Sequence, residues 1–184
     1  MPDWTYQPLS PIVASVLGER RTHVLALRLL AAVVVSAGGR RWIPLVFDHP
    51  PVPEQWAGRF GAAVPVSVVR ESIAVLPVQG ASIIEIGPVK SADVEAVRRV
   101  TAHRTCRVIA RVEGPDVAEA IAPHVDGVVV GEFPDAIRLT EPDIDGALAA
   151  LADPSATVLA TPAVLVAAGP GWFNRVIEAA IPTS

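Results

Sequence analysis

Gly80-Ala81-Ser82-Ile83-Ile84-Glu85-Ile86-Gly87-Pro88-Val89 is the stretch whose reading decides the fold. Ser82–Ile86 is too short and too β-branched for a helix, and glycines bound it on both sides. Such a run reads as a strand buried on both faces, the kind found in parallel sheets. Glu85 is the anomaly, an ionisable residue inside an apolar strand. A buried carboxylate of this kind needs a partner, so it either pairs with an arginine or faces a polar interior.

The same grammar repeats on either side. Val64–Val69 reads as a strand, and Glu71–Gln79 as a helix disturbed by Pro77 and closed by Gly80. After Gly87-Pro88, Ser91 is a good N-cap for a helix to about His103, with Asp93 and Glu95 in its first turn. Arg107–Val112 is a strand, and Pro115 at the first helical position opens a helix to about His124. Gly127–Val130 is a strand ending in Gly131. Thr140, with Asp143 three residues on, caps a helix to about Ala152. Thr157–Ala160 is a fifth strand, Pro162–Ala168 a short helix, Gly169-Pro170-Gly171 a turn and Trp172–Ala180 the last helix.

Strands alternating with helices predict βαβ units and a parallel sheet with right-handed crossovers. The expected fold is therefore α/β, an open (β/α) sheet over residues 42–184, preceded by a helical hairpin over 1–41. Such a sheet leaves edges that must be covered or paired, which predicts a homo-oligomer or a protein partner.

The first 41 residues differ in character. Pro8–Leu17 and Arg21–Ala37 read as apolar helices stopped by Gly18 and by Gly38-Gly39. Val24–Ala37 is only 14 residues long and contains Arg28. A spanning helix needs about 20 apolar residues, so a hairpin lying on a membrane, or packing on the core, is the alternative. Net charge is −4 overall, yet residues 1–41 hold five arginines against Asp3 and Glu19, or +3, which leaves −7 on the body. An acidic body argues against nucleic acid, and a basic start suggests an anionic surface. Arg20, Arg21, Leu27, Arg28 and Leu30 are the candidate membrane contacts. Between 41 and 58, four prolines indicate an extended connector with a short strand at Ile43–Phe47. Met1-Pro2-Asp3-Trp4 has no secretory n-region, and one cysteine, Cys106, excludes an internal disulfide framework. The expected location is cytoplasmic, peripheral at the inner membrane face.

Two ends of the chain carry a family resemblance. Pro8–Val16 followed by Arg21-Thr22-His23-Val24-Leu25-Ala26-Leu27-Arg28-Leu29-Leu30 resembles the N-terminal helix pair of the membrane-associated, quinone-dependent dihydroorotate dehydrogenases. Phe47-Asp48-His49-Pro50, Arg59-Phe60, Gly80–Val89, Ala122–Val130, Ala156–Thr161 and Gly169–Ile177 follow in family order. The resemblance implies a TIM-barrel-like (β/α) fold, FMN, a quinone and a place in pyrimidine biosynthesis. A closed eight-stranded barrel takes about 250 residues, with about 200 as a floor, and the chain has 184, so the barrel implied is partial or open.

The departures from that pattern fall on its chemistry. Where the family carries Gly-Phe-Asp-Lys-Asn, this chain reads Pro65-Val66-Ser67-Val68-Val69-Arg70-Glu71-Ser72. The family surrounds orotate with asparagines, because a planar pyrimidine needs paired donors and acceptors. Here Asn174 is the only asparagine and Lys90 the only lysine. The family's strand-end Asn is Gly131. The glycines before its penultimate helix are replaced by Asp135-Ala136-Ile137-Arg138-Leu139, its Tyr-Thr by Ala160-Thr161, and the hydroxyl residue after Gly87 by Pro88. Pro162 removes an N–H donor at the phosphate-binding helix start.

The expectation is a dihydroorotate dehydrogenase-like protein without dehydrogenase activity, acting as a membrane-associated binding or assembly protein. A flavin- or phosphorylated-ligand-binding oxidoreductase with a reduced pocket is the alternative. No catalytic residue is assigned. Thr161, Gly87, Lys90 and Glu85 are the candidate contacts for any retained cofactor, FMN being the one implied. His23, His49, His103 and His124 lack metal-ligand spacing, and no metal site is expected.

Overall fold

The computed structural model describes residues 51–169 and 171–181. The expected hairpin over 1–41, with Arg20, Arg21, Leu27, Arg28 and Leu30, and the strand expected at Ile43–Phe47 lie outside the described residues.

Among the described residues six strands and six α-helices follow one another: β1 Phe60–Val64, α1 Val69–Val75, β2 Ile83–Val89, α2 Val94–Thr101, β3 Arg107–Val112, α3 Pro115–Ile121, β4 Gly127–Val130, β5 Ala136–Leu139, α4 Ile144–Leu151, β6 Thr157–Ala160, α5 Pro162–Ala168 and α6 Trp172–Ala180. All strands are parallel, in the order β4-β3-β2-β1-β6-β5. Taken from β5, that order is 5-6-1-2-3-4. The last strand pairs with the first, as in a closed barrel, and the ring is broken between β4 and β5. In a flat sheet β5 and β2 would stand three strand spacings apart, about 14 Å. Arg138 of β5 nevertheless reaches Glu85 of β2 at 2.7 Å, so the sheet curls into an open half-barrel.

β2 runs past its expected end at Ile86 to Val89, and two other strands differ more from the sequence expectation. The first lies at Phe60–Val64, not Val64–Val69. Pro65 has no N–H to donate and turns the chain into a 3₁₀ turn at Val66–Val68 ahead of α1. Gly61-Ala62-Ala63 has poor intrinsic strand preference, but this strand is selected for closeness. A Cβ on Gly61 would stand 1.7 Å from the Ile83 carbonyl oxygen. The second difference is β5, whose residues the sequence reading assigned to no element. Its four residues form an edge strand held by β6 alone.

The helix starts shift by small, explicable amounts. Asp143, not Thr140, caps α4, its carboxylate accepting from the Asp145 N–H at 3.1 Å. Ser91 begins a 3₁₀ turn, in which the Asp93 carboxylate accepts from the Lys90 N–H at 3.1 Å, and α2 follows from Val94. Pro77 divides the expected helix 71–79 into α1 and a 3₁₀ turn at Pro77–Gln79 that ends on Gly80.

Side chains alternate across the sheet. Phe60, Ala62, Val64, Ile84, Ile86, Val108, Ala110, Val112, Val158 and Ala160 point outward into the main core beneath the helices. Trp56, Phe60, Trp172 and Phe173 form an aromatic group there, with contacting centroids 5.1–5.8 Å apart, edge-to-face except for the tilted Phe60–Trp172 pair. Ala63, Ile83, Ile109 and Leu159 point inward and form a second, smaller cluster on the concave side.

Candidate functional site on the concave face

The carboxyl ends of barrel strands and the space they enclose are where such folds place chemistry. Here that space is filled from within. Ile83, Ile109 and Leu159 are buried, and Val129, Ala136 and Phe133 pack on them. Phe133 comes from the connection between β4 and β5. Both strands run in the same direction, so residues 131–135 must return from the carboxyl end of one to the amino end of the other. They do so without a helix, along the open side of the half-barrel. Gly131 starts the return at φ +83, after its N–H donates to the Val112 carbonyl at 3.2 Å. A left-handed residue is needed there, and glycine adopts that conformation without penalty. Phe133 then places an aromatic ring against the concave apolar cluster.

Above that cluster lies the ion group. Glu85 is 1 % exposed. Its Oε1 accepts from Arg111 Nε of the neighbouring strand at 3.1 Å and from Arg138 Nη2 at 2.9 Å. Its Oε2 accepts from the same Arg138 nitrogen at 2.7 Å. The arginine side chains are 27 % and 33 % exposed, so they cover the carboxylate and face outward. Desolvating one carboxylate requires compensation, and two charge-assisted partners supply it.

The other expected site residues are dispersed. Gly87 lies on β2 where the register with β3 shifts, and a Cβ there would meet the Arg111 carbonyl oxygen at 2.6 Å. Its bare backbone thus serves strand packing. Lys90 stands at the rim, largely exposed, with its ammonium 3.6 Å from Glu113. Nothing desolvates it, as Schiff-base chemistry would require. Thr161 extends the β6 ladder by one residue, its N–H donating to the Leu139 carbonyl at 3.0 Å. By alternation from Leu159 its side chain belongs to the concave face. Its Oγ1 is buried and has no hydrogen-bond partner among the described residues. Glu85 and Thr161 therefore share the concave face, whereas Gly87 and Lys90 serve the strand and the rim. The sequence reading missed Arg111, Arg138 and Phe133. Arg111 and Arg138 sit at inward positions of their strands, and Glu85 inside an apolar run was the signal that a cation had to come to it.

The described residues do not fit a flavin. An isoalloxazine would have to displace Phe133 or break the Arg138–Glu85 bridge, and Pro162 offers no N–H where a phosphate would dock. The two depressions that stand out lie at the opposite, amino ends of the strands. The larger, about 870 Å³ and widely open, is lined by Gly58, Ser82, Arg104, Cys106, Arg107 and Asp126 among others. Its polar groups are engaged with one another. Arg104 holds Asp126 through two bonds of 2.8 Å, Asp126 accepts from the Val108 N–H, and Ser82 Oγ bonds Gly58, Trp56 and Phe60. The Arg104 hydrogen bonds hold the Asp126 carboxyl below its ordinary range. Burial, reinforced by Asp126, pushes the Cys106 thiol up to about 11. That is a structural cysteine, not a nucleophile. Among the described residues no group of His, Cys, Asp and Glu is arranged to hold a metal, and no helix is long and apolar enough to cross a membrane.

Comparison with protein-family models, with curated proteins and with solved structures finds no match to this chain.

Proposed function

We propose that this protein is a non-catalytic member of the dihydroorotate dehydrogenase lineage, acting as a membrane-associated binding or assembly protein. One observation carries the reading. The concave space in which a barrel flavoenzyme would stack flavin and pyrimidine is spanned by the Arg138–Glu85 bridge and packed by Phe133. The cyclic strand order supports descent from a closed barrel opened between β4 and β5. The lone Asn174 supports loss of pyrimidine recognition. Purified full-length chain, supplied with FMN, dihydroorotate and a short-chain quinone, is expected to reduce no quinone above a no-protein control. Turnover at any rate that tracks protein concentration overturns the non-catalytic reading and favours the reduced-pocket oxidoreductase.

The assembly part of the reading rests on the break in the ring. Val130 of β4 and Ile137 of β5 are 56 % and 41 % exposed, and these two edge strands flank the opening. The occupant is a second copy of this chain, because one copy offers both edges and a two-fold pairing satisfies both at once. Sedimentation of the full chain should give a dimer that the Val130→Lys/Ile137→Lys variant converts to a folded monomer. A wild-type monomer at tens of micromolar excludes this arrangement. The membrane part concerns residues 1–41. Deleting them is expected to move the protein from the membrane to the soluble fraction, and unchanged partition removes that part alone.

A further inference from the structure

The concave ion group is unbalanced. One carboxylate faces two guanidiniums, a local charge of +1 in a space walled by buried Ile83, Ile109 and Leu159. Each guanidinium has five N–H donors in a fixed fork. Arg111 commits only Nε to Glu85, and Arg138 commits only Nη2. Both Nη groups of Arg111, and Nε and Nη1 of Arg138, have no hydrogen-bond partner among the described residues. Both arginines touch the same Oε1, so the spare donors are neighbours.

Among the described residues the charges that flank the ion group do not restore balance. Lys90 and Glu113 at the rim pair with each other. Glu132 and Asp135 of the return loop are exposed and form no ion pair with either arginine. Neither arginine engages Glu85 through its full fork, so each keeps most of its donors while compensating the carboxylate. A second cation with free forked donors, held at the mouth by the buried carboxylate, is how oxyanion sites are built.

We infer that Arg111 and Arg138, pre-positioned by Glu85, form a binding site for a small ligand carrying a carboxylate or phosphate group at the carboxyl end of the half-barrel. The inference rests on the binding half of the proposed function and names its ligand chemistry. It requires neither flavin nor kinship with any enzyme. The ligand sits over the ion group, on the exposed sides of the two arginines, and leaves the packed interior beneath undisturbed.

Isothermal titration of the full chain with inorganic phosphate and, separately, with succinate, both at fixed ionic strength in chloride, tests the site and distinguishes the two ligand chemistries. At least one is expected to bind saturably with one site per chain. Arg111→Met, which leaves the Arg138–Glu85 bridge intact, should weaken that binding at least roughly 10-fold. Arg111→Lys, which keeps the charge without the fork, should weaken it less than Arg111→Met does. Arg104→Met, at the far end of the sheet, should leave it unchanged. If Arg111→Met folds poorly, Arg111→Lys and the amide shifts of residues 111 and 138 on phosphate addition give the answer independently. No saturable heat with either anion, or equal binding by Arg111→Met and wild type, overturns the inference. A flavin-free protein that binds phosphate upholds the site and the non-catalytic reading together. A flavin-reducing protein would fail that reading and leave the anion site to be judged on phosphate alone.

Discussion

Replacing Arg138 by methionine tests the ion group that spans the half-barrel. Arg138 supplies two of the three hydrogen bonds to Glu85, and the carboxylate it covers is 1 % exposed. Breaking a buried ion pair from one side costs about 3–5 kcal/mol, because the remaining charge is left without compensation. Here Arg111 stays in place with its own 3.1 Å bond, so part of the compensation survives. Arg138 is also one-third exposed, which dilutes its side of the attraction. The expected loss is about 2–3 kcal/mol, or a fall in Tm of roughly 5–10 °C for a chain of this size. Arg138→Lys keeps the charge without the fork and should fall between. Replacing the whole group, as Glu85→Leu/Arg111→Met/Arg138→Met, should return stability to within about 1 kcal/mol of wild type or above it, since well-packed apolar side chains often match a buried ion group. Urea unfolding followed by tryptophan fluorescence gives all four values. A loss below about 0.5 kcal/mol for Arg138→Met, with an unchanged urea slope, would refute the bridge as a real constraint on the curl of the sheet.

Other consequences follow from particular residues. The Asp126 carboxyl is held low in the fold by Arg104, so its stabilising contribution is complete above the ordinary aspartate range and disappears as pH falls through its depressed value. Asp126→Asn should therefore lower stability at neutral pH and flatten the acid limb of a Tm-against-pH curve. Cys106, with its thiol pushed up to about 11, should react with a thiol reagent at neutral pH far more slowly in the folded protein than in urea. Gly61→Val should prevent soluble expression or cost more than about 4 kcal/mol by chemical denaturation, since even one Cβ would overlap the Ile83 carbonyl. Phe60→Ala should cost about 3–5 kcal/mol, because Phe60 contacts the rings of Trp56, Trp172 and Phe173.

The parts of the fold legible in the sequence are those where burial and composition agree. β3, β4 and β6 lie at the expected residues, since each is an uninterrupted run with a polar or glycine boundary. α5 and α6 likewise lie where proline and the Gly-Pro-Gly turn place them. β1 escaped because its defining property is absence of bulk, dictated by the approach of β2. β5 escaped because four residues at an edge carry little periodicity, and because Arg138 there reads as a surface residue until its partner is known. The site was half legible. Glu85 announced a need for a cation, yet no local pattern could say that Arg138, 53 residues away, would cross the concavity to meet it. That contact belongs to the curl of the sheet, which is a property of all six strands together.

A half-barrel whose interior is packed by Phe133 and spanned by the Arg138–Glu85 bridge should hold no flavin. The visible absorption spectrum of the 184-residue chain, incubated with excess FMN and then desalted, decides the matter. The expected spectrum shows the aromatic ultraviolet band alone. Stoichiometric flavin absorbance that survives desalting, and bleaches when dihydroorotate is added, would contradict it.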